Sequence, residues 1–200
     1  MTVISPSEIR AFFNRAAADE EHYPSTIDPR IFHVKLILEH LGDVSHGRVV
    51  DVGSGKGRFA RLVKERYPTA FVTAVDLAEA MLAHVPKNIN RVAATMTALP
   101  LATGSCHAAY ATESLEHAVD IPAAVAELAR IVRPGGPIVI IDKNVEAWGR
   151  LETPVWERWF GRKELEGLLG RHCRSVRSQP ISYWEDVEPD GLFLAWLAYK

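Results

Sequence analysis

The chain has 200 residues, 48% of them hydrophobic and 24% charged, and its formal net charge at pH 7 is −2. These values are typical of one ordinary globular domain, and the small negative charge makes nucleic-acid binding, which needs a basic face, unlikely. Cys106 and Cys173 are too few and too far apart for a disulfide framework, and neither a secretion signal nor a membrane span is expected, so a cytoplasmic protein is predicted.

Two helices are predicted before the first strand. Ser5-Pro6-Ser7-Glu8 has the form of a capping box, and it predicts a helix that ends near residue 20. Asp28-Pro29 predicts a second helix start in front of "RIFHVKLILEHL", whose apolar residues follow helical spacing. Residues 42–47 then form a linker. We therefore expect residues 1–47 to be a helical prefix that contributes to a lid over the substrate and cofactor.

Strand-like and helical patterns alternate from residue 48 onward. Strands are predicted at residues 48–52, 70–75, 91–94, 108–112 and 137–142, and helices at 57–67, 77–85 and 121–132. This alternation predicts a parallel sheet with helices on both faces. The last two strand-like runs, "RSVRSQPISYW" and "GLFLAWLAYK", are joined by a short acidic turn, so they must be antiparallel. We expect one domain, 1–200, with a core at 48–144 and a lid with the final strands at 145–200.

The first strand runs into a glycine-rich loop, "VVDVGSGKG", with glycines at positions 53, 55 and 57. A phosphate-binding P-loop fails to match because Val50 occupies the place of its first glycine and Gly57 follows Lys56 instead of a hydroxyl residue. The dinucleotide pattern Gly-x-Gly-x-x-Gly also fails, because Arg58 stands in the third glycine position. Lys56 is expected to be a surface side chain.

Two acidic residues indicate a different nucleotide. Asp51, two residues before the first glycine, would repel a pyrophosphate, whereas it can meet the ammonium group of an amino-acid tail. Asp76 ends the second predicted strand, which is the position of a carboxylate that accepts hydrogen bonds from ribose hydroxyls. A ligand with a ribose, an amino-acid tail and no phosphate is S-adenosylmethionine.

At this point the chain resembles the class I S-adenosylmethionine-dependent methyltransferases, in the small-molecule branch called type 11. The resemblance covers residues 48–144 and rests on four motifs in order: "VVDVGSGKG", "AVDLAEAML", "ALPLATGSCHAAYATESLEH" and "ELARIVRPGGPIVIID". It implies a Rossmann-like α/β fold, a doubly wound, mostly parallel seven-stranded sheet with an antiparallel last strand in three α-β-α layers. It also implies methyl transfer to an oxygen, nitrogen or carbon nucleophile of a small molecule.

The resemblance also implies roles for individual residues. The methionine part of the cofactor would be lined by the loop, with Asp51 at its amino group, Asp76 at the ribose and Arg30 at the carboxylate. Leu77 and Met81 would flank the adenine. The family often has an aspartate beside the adenine, and this chain has Thr95 with the backbone of Met96. The predicted cofactor-binding residues are Arg30, Asp51, Gly53, Ser54, Gly55, Gly57, Asp76, Leu77, Met81, Thr95, Met96 and Glu113.

The segment after the fourth predicted strand, "TESLEH", is expected to lie beside the cofactor at the carboxyl edge of the sheet. If the acceptor is a phenol or hydroxyl, His117 is the predicted general base; an amine or an activated carbon would need none. Glu113, Glu116 and His117 resemble a motif that holds a divalent metal in some related enzymes, but the same letters recur in members without one, and we assign no metal ligand. Methylation of RNA or protein, and a non-catalytic subunit that only binds the cofactor, are the alternatives that the sequence leaves open, as it does the oligomeric state.

Overall fold

A computed structural model of the protein describes residues 4–200 and contains a seven-stranded sheet with helices on both faces. The helices are α1 (Pro6–Ala16), α2 (Phe32–Leu41), α3 (Arg58–Arg66), α4 (Glu79–Leu82), α5 (Ile121–Ile131) and α6 (Arg162–Gly170). The strands are β1 (Arg48–Val52), β2 (Phe71–Asp76), β3 (Asn90–Ala93), β4 (Ala108–Thr112), β5 (Pro137–Lys143), β6 (Ser175–Ile181) and β7 (Phe193–Tyr199).

The sheet has the strand order β3-β2-β1-β4-β5-β7-β6. Pairing is parallel from β3 through β5, whereas β7 runs antiparallel to both β5 and β6. Apolar residues of α2 and α3 such as Ile37 and Val63 pack on one face, and those of α5 and α6 such as Leu128 and Leu165 pack on the other. The predicted three-layer α/β fold with an antiparallel last strand is confirmed.

Local side-chain hydrogen bonds explain the boundaries of the two prefix helices. The capping box is present, because the Glu8 carboxylate accepts the backbone N–H of Ser5 at 2.8 Å. Helix α1 ends at Ala16 instead of near residue 20, since the Asp19 carboxylate accepts the N–H groups of residues 21 and 22 and fixes a turn. The predicted start of α2 at Asp28 is wrong: the Asp28 carboxylate accepts the N–H of Arg30, and the helix begins at Phe32.

Two other differences concern α4 and α6. The segment predicted as a helix over 77–85 contains only the four-residue α4, because the Asp76 carboxylate accepts the N–H of Ala78 and holds the chain in a turn. Helix α6 was not predicted, since Gly167 lies in its interior and glycine weakens a helical pattern. Within residues 4–200, no helix combines the length and apolar character that crossing a membrane requires.

The topology brings the loops that follow three strands together at one edge of the sheet. β1 lies between β2 and β4, so the residues after Val52, Asp76 and Thr112 meet at the carboxyl ends of these parallel strands. Here the strand order reverses, which is where open α/β sheets bind their ligands.

Candidate active site

The glycine loop that follows β1 forms the floor of a cavity. Gly53 has φ +72°, and a Cβ there would lie 2.4 Å from the Cβ of Ser114. The Ser114 hydroxyl donates to the carbonyl oxygen of Val52 at 2.9 Å, which holds this segment tightly against the loop. Glycine is therefore required at position 53 by both the backbone conformation and the available space.

Two carboxylates flank the loop, one under it and one beside it. Asp51 is buried, and burial raises its pKa from 3.8 to about 7. The Asp76 oxygens accept the N–H groups of Gly55 at 2.7 Å and Ala78 at 2.8 Å. Burial raises the pKa of Asp76, although these two N–H groups act in the opposite direction. Each Asp76 oxygen retains a lone pair for a further donor.

The far side of the cavity is lined by Leu77, Met81, Thr95 and Met96. The Thr95 hydroxyl lies 2.9 Å from that of Thr97, so it is held in place by a neutral hydrogen bond. This wall is apolar with one uncharged hydroxyl, which suits the flat face and edge of a base.

Glu113, at the carboxyl end of β4, has a strained backbone. Its φ is +51°, which is uncommon outside glycine. Its carboxylate accepts from the Arg58 guanidinium at 3.0 Å and lies within 3.5 Å of the Tyr183 hydroxyl. Both Glu113 and Arg58 line the cavity. Arg58 was not predicted as a lining residue, because in the sequence it stood out only as the residue in the third glycine position of the dinucleotide pattern.

The prefix closes the cavity from above. Ile9, Phe13 and Tyr23 line it, and the Phe13 ring lies edge-on to His117 with 4.9 Å between ring centroids. The expectation that Lys56 is a surface side chain is wrong. Its side chain is only 1% exposed, and its ammonium donates to the Glu20 carboxylate at 2.7 Å and to the Asp19 carbonyl at 3.1 Å. Lys56 thus ties the prefix to the glycine loop.

The three residues of the possible metal motif, Glu113, Glu116 and His117, do not form one group in the structure. Glu113 faces Arg58, whereas Glu116 is buried and forms an ion pair with Lys143 at the end of β5. His117 lines the cavity, and its Nε2 lies 3.6 Å from Oε1 of Glu116, beyond hydrogen-bond distance. Burial, together with the charge of Lys143, lowers the pKa of His117 to about 3. The imidazole is therefore neutral at physiological pH.

Eleven of the thirteen predicted site residues line this one cavity, and two do not. The Arg30 guanidinium is exposed, bound to Asp28 at 2.6 Å and stacked on Trp184. This position gives no support to a role at the cofactor carboxylate. Gly57 is turned toward Val85, and a Cβ added to Gly57 would lie 3.0 Å from that side chain, so it packs the loop instead of lining the cavity. The roles of the eleven remain predictions.

Comparison with known proteins identifies the family. Residues 50–140 match the family described as "Methyltransferase domain". The chain is 31% identical over 195 residues to the malonyl-[acyl-carrier protein] O-methyltransferase of Pseudescherichia vulneris, a match that covers 94% of this chain and 74% of that protein. The chain belongs to the class I S-adenosylmethionine-dependent methyltransferases. Another O-methyltransferase of the same name, from Geobacter sulfurreducens, is 30% identical over 140 residues, which cover 67% of this chain and 52% of that protein.

The solved structures agree on the fold of this methyltransferase. The [4+2]-cyclase SpnF superposes with a TM-score of 0.79 at 14% identity, over 99% of this chain and 97% of the cyclase. That neighbour is named for a cyclisation, so the structural similarity shows a shared fold and nothing about the reaction. The chain spans about half the length of the Geobacter relative. The family, fold and cofactor predicted from the sequence are confirmed.

The cavity of this methyltransferase fits S-adenosylmethionine by its own chemistry. Oδ2 of Asp51, the hydroxyl of Ser54 and the hydroxyl of Thr112 are buried polar atoms that find no hydrogen-bond partner within residues 4–200. All three residues line the cavity. Unpaired buried polar atoms are costly, so a ligand that bears an ammonium and a carboxylate would stabilise this end of the site.

Proposed function

We propose that this chain transfers the methyl group of S-adenosylmethionine to a nucleophile of a small molecule. The observation that carries the proposal is a single cavity. It joins the glycine loop and Asp76 at one end to His117 and the aromatic wall of the prefix at the other. The sulfonium supplies a methyl group that is already activated. The protein then has to hold the acceptor about 3–3.5 Å from that carbon with its orbital aligned.

The residues divide this work by their position. Asp51, Ser54 and Thr112 offer the unpaired polar atoms for the amino-acid tail. Asp76 offers its free lone pairs to ribose hydroxyls, and the apolar wall at Met81 receives the adenine. Phe13 and Tyr23 exclude water from the acceptor side, which favours displacement at carbon over hydrolysis.

The low pKa of His117 limits which classes of methyl acceptor the site can use. A base whose conjugate acid has a pKa of about 3 is poorly matched to taking a proton from a hydroxyl or phenol near pH 7. The geometry therefore favours an acceptor that is nucleophilic without deprotonation. A carboxylate has this property, and the relatives reported above are named for O-methylation of a malonyl group. We propose a carboxylate acceptor first, with amines and activated carbons as the alternatives, and a cytoplasmic location.

Calorimetry tests the cofactor site directly. We expect micromolar binding of S-adenosylmethionine to the unaltered protein, and loss of that binding in Asp76→Ala. The matched control is Asp43→Ala, an exposed acid in the turn after α2. No heat from millimolar cofactor would overturn the cofactor site and the proposed function with it. Cofactor binding without S-adenosylhomocysteine formation from any carboxylate, amine or phenol acceptor would favour a non-catalytic subunit.

His117→Gln tests the acceptor class. With a carboxylate acceptor we expect kcat to fall by less than ~100-fold, the lower end of what loss of a general base costs. The rate should show no inflection near pH 6.5, because the imidazole stays neutral from about pH 4 upward. A larger loss together with an inflection near pH 6.5 that disappears in the variant would show that His117 is a base.

A further inference from the structure

Behind His117 lies a buried group of three carboxyl side chains, two of which contact one ammonium. Lys143, at the end of β5, donates from Nζ to the carboxylate of Glu116 and to that of Glu157, the latter at 2.8 Å. Asp142 completes the group, since its Oδ2 accepts the backbone N–H of Glu116 at 3.2 Å. The side chains of Glu116 and Glu157 are 1% and 3% exposed, so both groups are removed from water.

The same place has the donor set of a divalent metal site. One ligand atom each from Glu116, His117 and Glu157 lies within 4.8 Å of the others. Carboxylates and an imidazole at this spacing suit a first-row divalent ion. Lys143 is bound to both of these carboxylates, so its ammonium lies between two of the three donors.

Several contacts fix the ammonium in this place. The Trp159 indole N–H donates to Oε1 of Glu157 at 2.8 Å, which orients the carboxylate, and the Trp159 ring lies 5.8 Å from Nζ of Lys143. The same ammonium donates to the carboxylates of both Glu116 and Glu157. The lysine is therefore held as a cation.

We propose that Lys143 is a built-in cation that replaces a divalent metal at this cluster and, by fixing Glu116, positions His117 in the cavity wall. Nζ holds the Glu116 carboxylate, and His117 is the next residue in the same short turn. The imidazole Nε2 lies 3.6 Å from Oε1 of Glu116, without a hydrogen bond, and its Nδ1 is buried without a partner in the described chain. Lys143 is thus a positioning residue that does not itself line the cavity. The effect on His117 rests on the proposed function, whereas the replacement of a metal does not.

Cobalt titration tests the replacement without any methyl acceptor. Visible absorption of Co²⁺ is followed in the unaltered protein, in Lys143→Ala and in Lys143→Met. We expect no d–d bands from the unaltered protein, and binding at least about 100-fold tighter in Lys143→Ala, because both the repelling charge about 3 Å from the ion and the side chain that fills its place have been removed. Lys143→Met should stay silent, since its side chain fills the space without a charge. Adding Glu157→Gln to Lys143→Ala should weaken the binding.

Other outcomes would overturn the proposal. It fails if Lys143→Ala binds cobalt no better than the unaltered protein, or if the unaltered protein binds cobalt at a site that Glu116→Gln removes. Should Lys143→Ala not fold, the melting temperature of the unaltered protein decides: indifference to chelator and to Co²⁺ supports the built-in cation, and a drop with chelator refutes it. Once an acceptor is known, Lys143→Met should lower kcat and leave the cofactor KM unchanged; a change confined to KM would refute the positioning of His117.

Discussion

Asp51→Asn should stabilise the protein without ligand and at the same time weaken its hold on the cofactor. The carboxyl is 2% exposed, and its pKa is raised from 3.8 to about 7 mainly by burial and further by the charge of Asp76. A shift of about three pKa units corresponds to about 4 kcal/mol between the two protonation states. Asparagine has the same shape and no charge, so it avoids this cost.

The pH dependence has a definite sign. Below about pH 4, Asp51 is protonated in the folded and unfolded chains alike, and the charge costs nothing. Between pH 4 and pH 7 only the folded chain keeps the proton, so the unfolding free energy contributed by this group falls as pH rises. In Asp51→Asn the unfolding free energy does not fall in this way, because position 51 carries no titrating group. Its advantage over the unaltered protein should therefore grow from near zero at pH 4 to at most about 4 kcal/mol at pH 8.

Urea denaturation of both proteins at pH 4.5, 6 and 8 measures this difference. Asp43→Asn is the matched control: hydrogen bonding to Ser45 lowers the pKa of Asp43 below its ordinary 3.8, so this acid is ionised in the folded and unfolded chains alike at all three pH values, and its removal should change stability by the same amount at each. Cofactor at pH 8 should raise the melting temperature of the unaltered protein more than that of Asp51→Asn. A stability difference between the two that stays constant from pH 4.5 to pH 8 would refute the reasoning.

Three substitutions test the packing of the site and of α6. Gly53→Ala should cost about 2–4 kcal/mol in urea denaturation, from a positive φ plus an overlap at 2.4 Å, and a loss below 1 kcal/mol would contradict this packing. Gly167→Ala, whose new methyl meets no atom of residues 4–200 within 4 Å, should stabilise α6 by roughly 0.5–1 kcal/mol, and destabilisation would show that the helix is not formed as described. Lys56→Met should speed proteolysis within residues 17–25 several-fold and weaken cofactor binding, whereas unchanged cleavage would show that the prefix is held elsewhere.

The sequence predicted the sheet and the cofactor end of the site because both depend on neighbouring residues. Short apolar runs that alternate with helical patterns specify the strands. The glycines, Asp51 and Asp76 lie directly at strand ends. Helix starts were less predictable, since Asp28 caps its own turn through Arg30 instead of α2.

The acceptor side could not be predicted, because its contacts join residues far apart in the chain. Lys143 meets Glu116 and Glu157 across 27 and 14 positions, and no local pattern announces that an ammonium will lie among those acids. Burial and the charge of Lys143 then lower the pKa of His117 to about 3, so the residue that the sequence suggests as a general base is a weak one in the fold. Lys56 is a further case, since its partner Glu20 comes from the prefix.

The place of β7 between β5 and β6 has a consequence for biosynthesis. All seven residues of β5 pair with β7, and the indole of Trp196 in β7 is buried among the α5 and α6 side chains. β5 therefore lacks its second neighbour until Phe193–Tyr199 have left the ribosome. A nascent chain that has emerged only as far as β5 exposes an unpaired apolar edge, so we expect it to depend on a chaperone until the final strand is inserted.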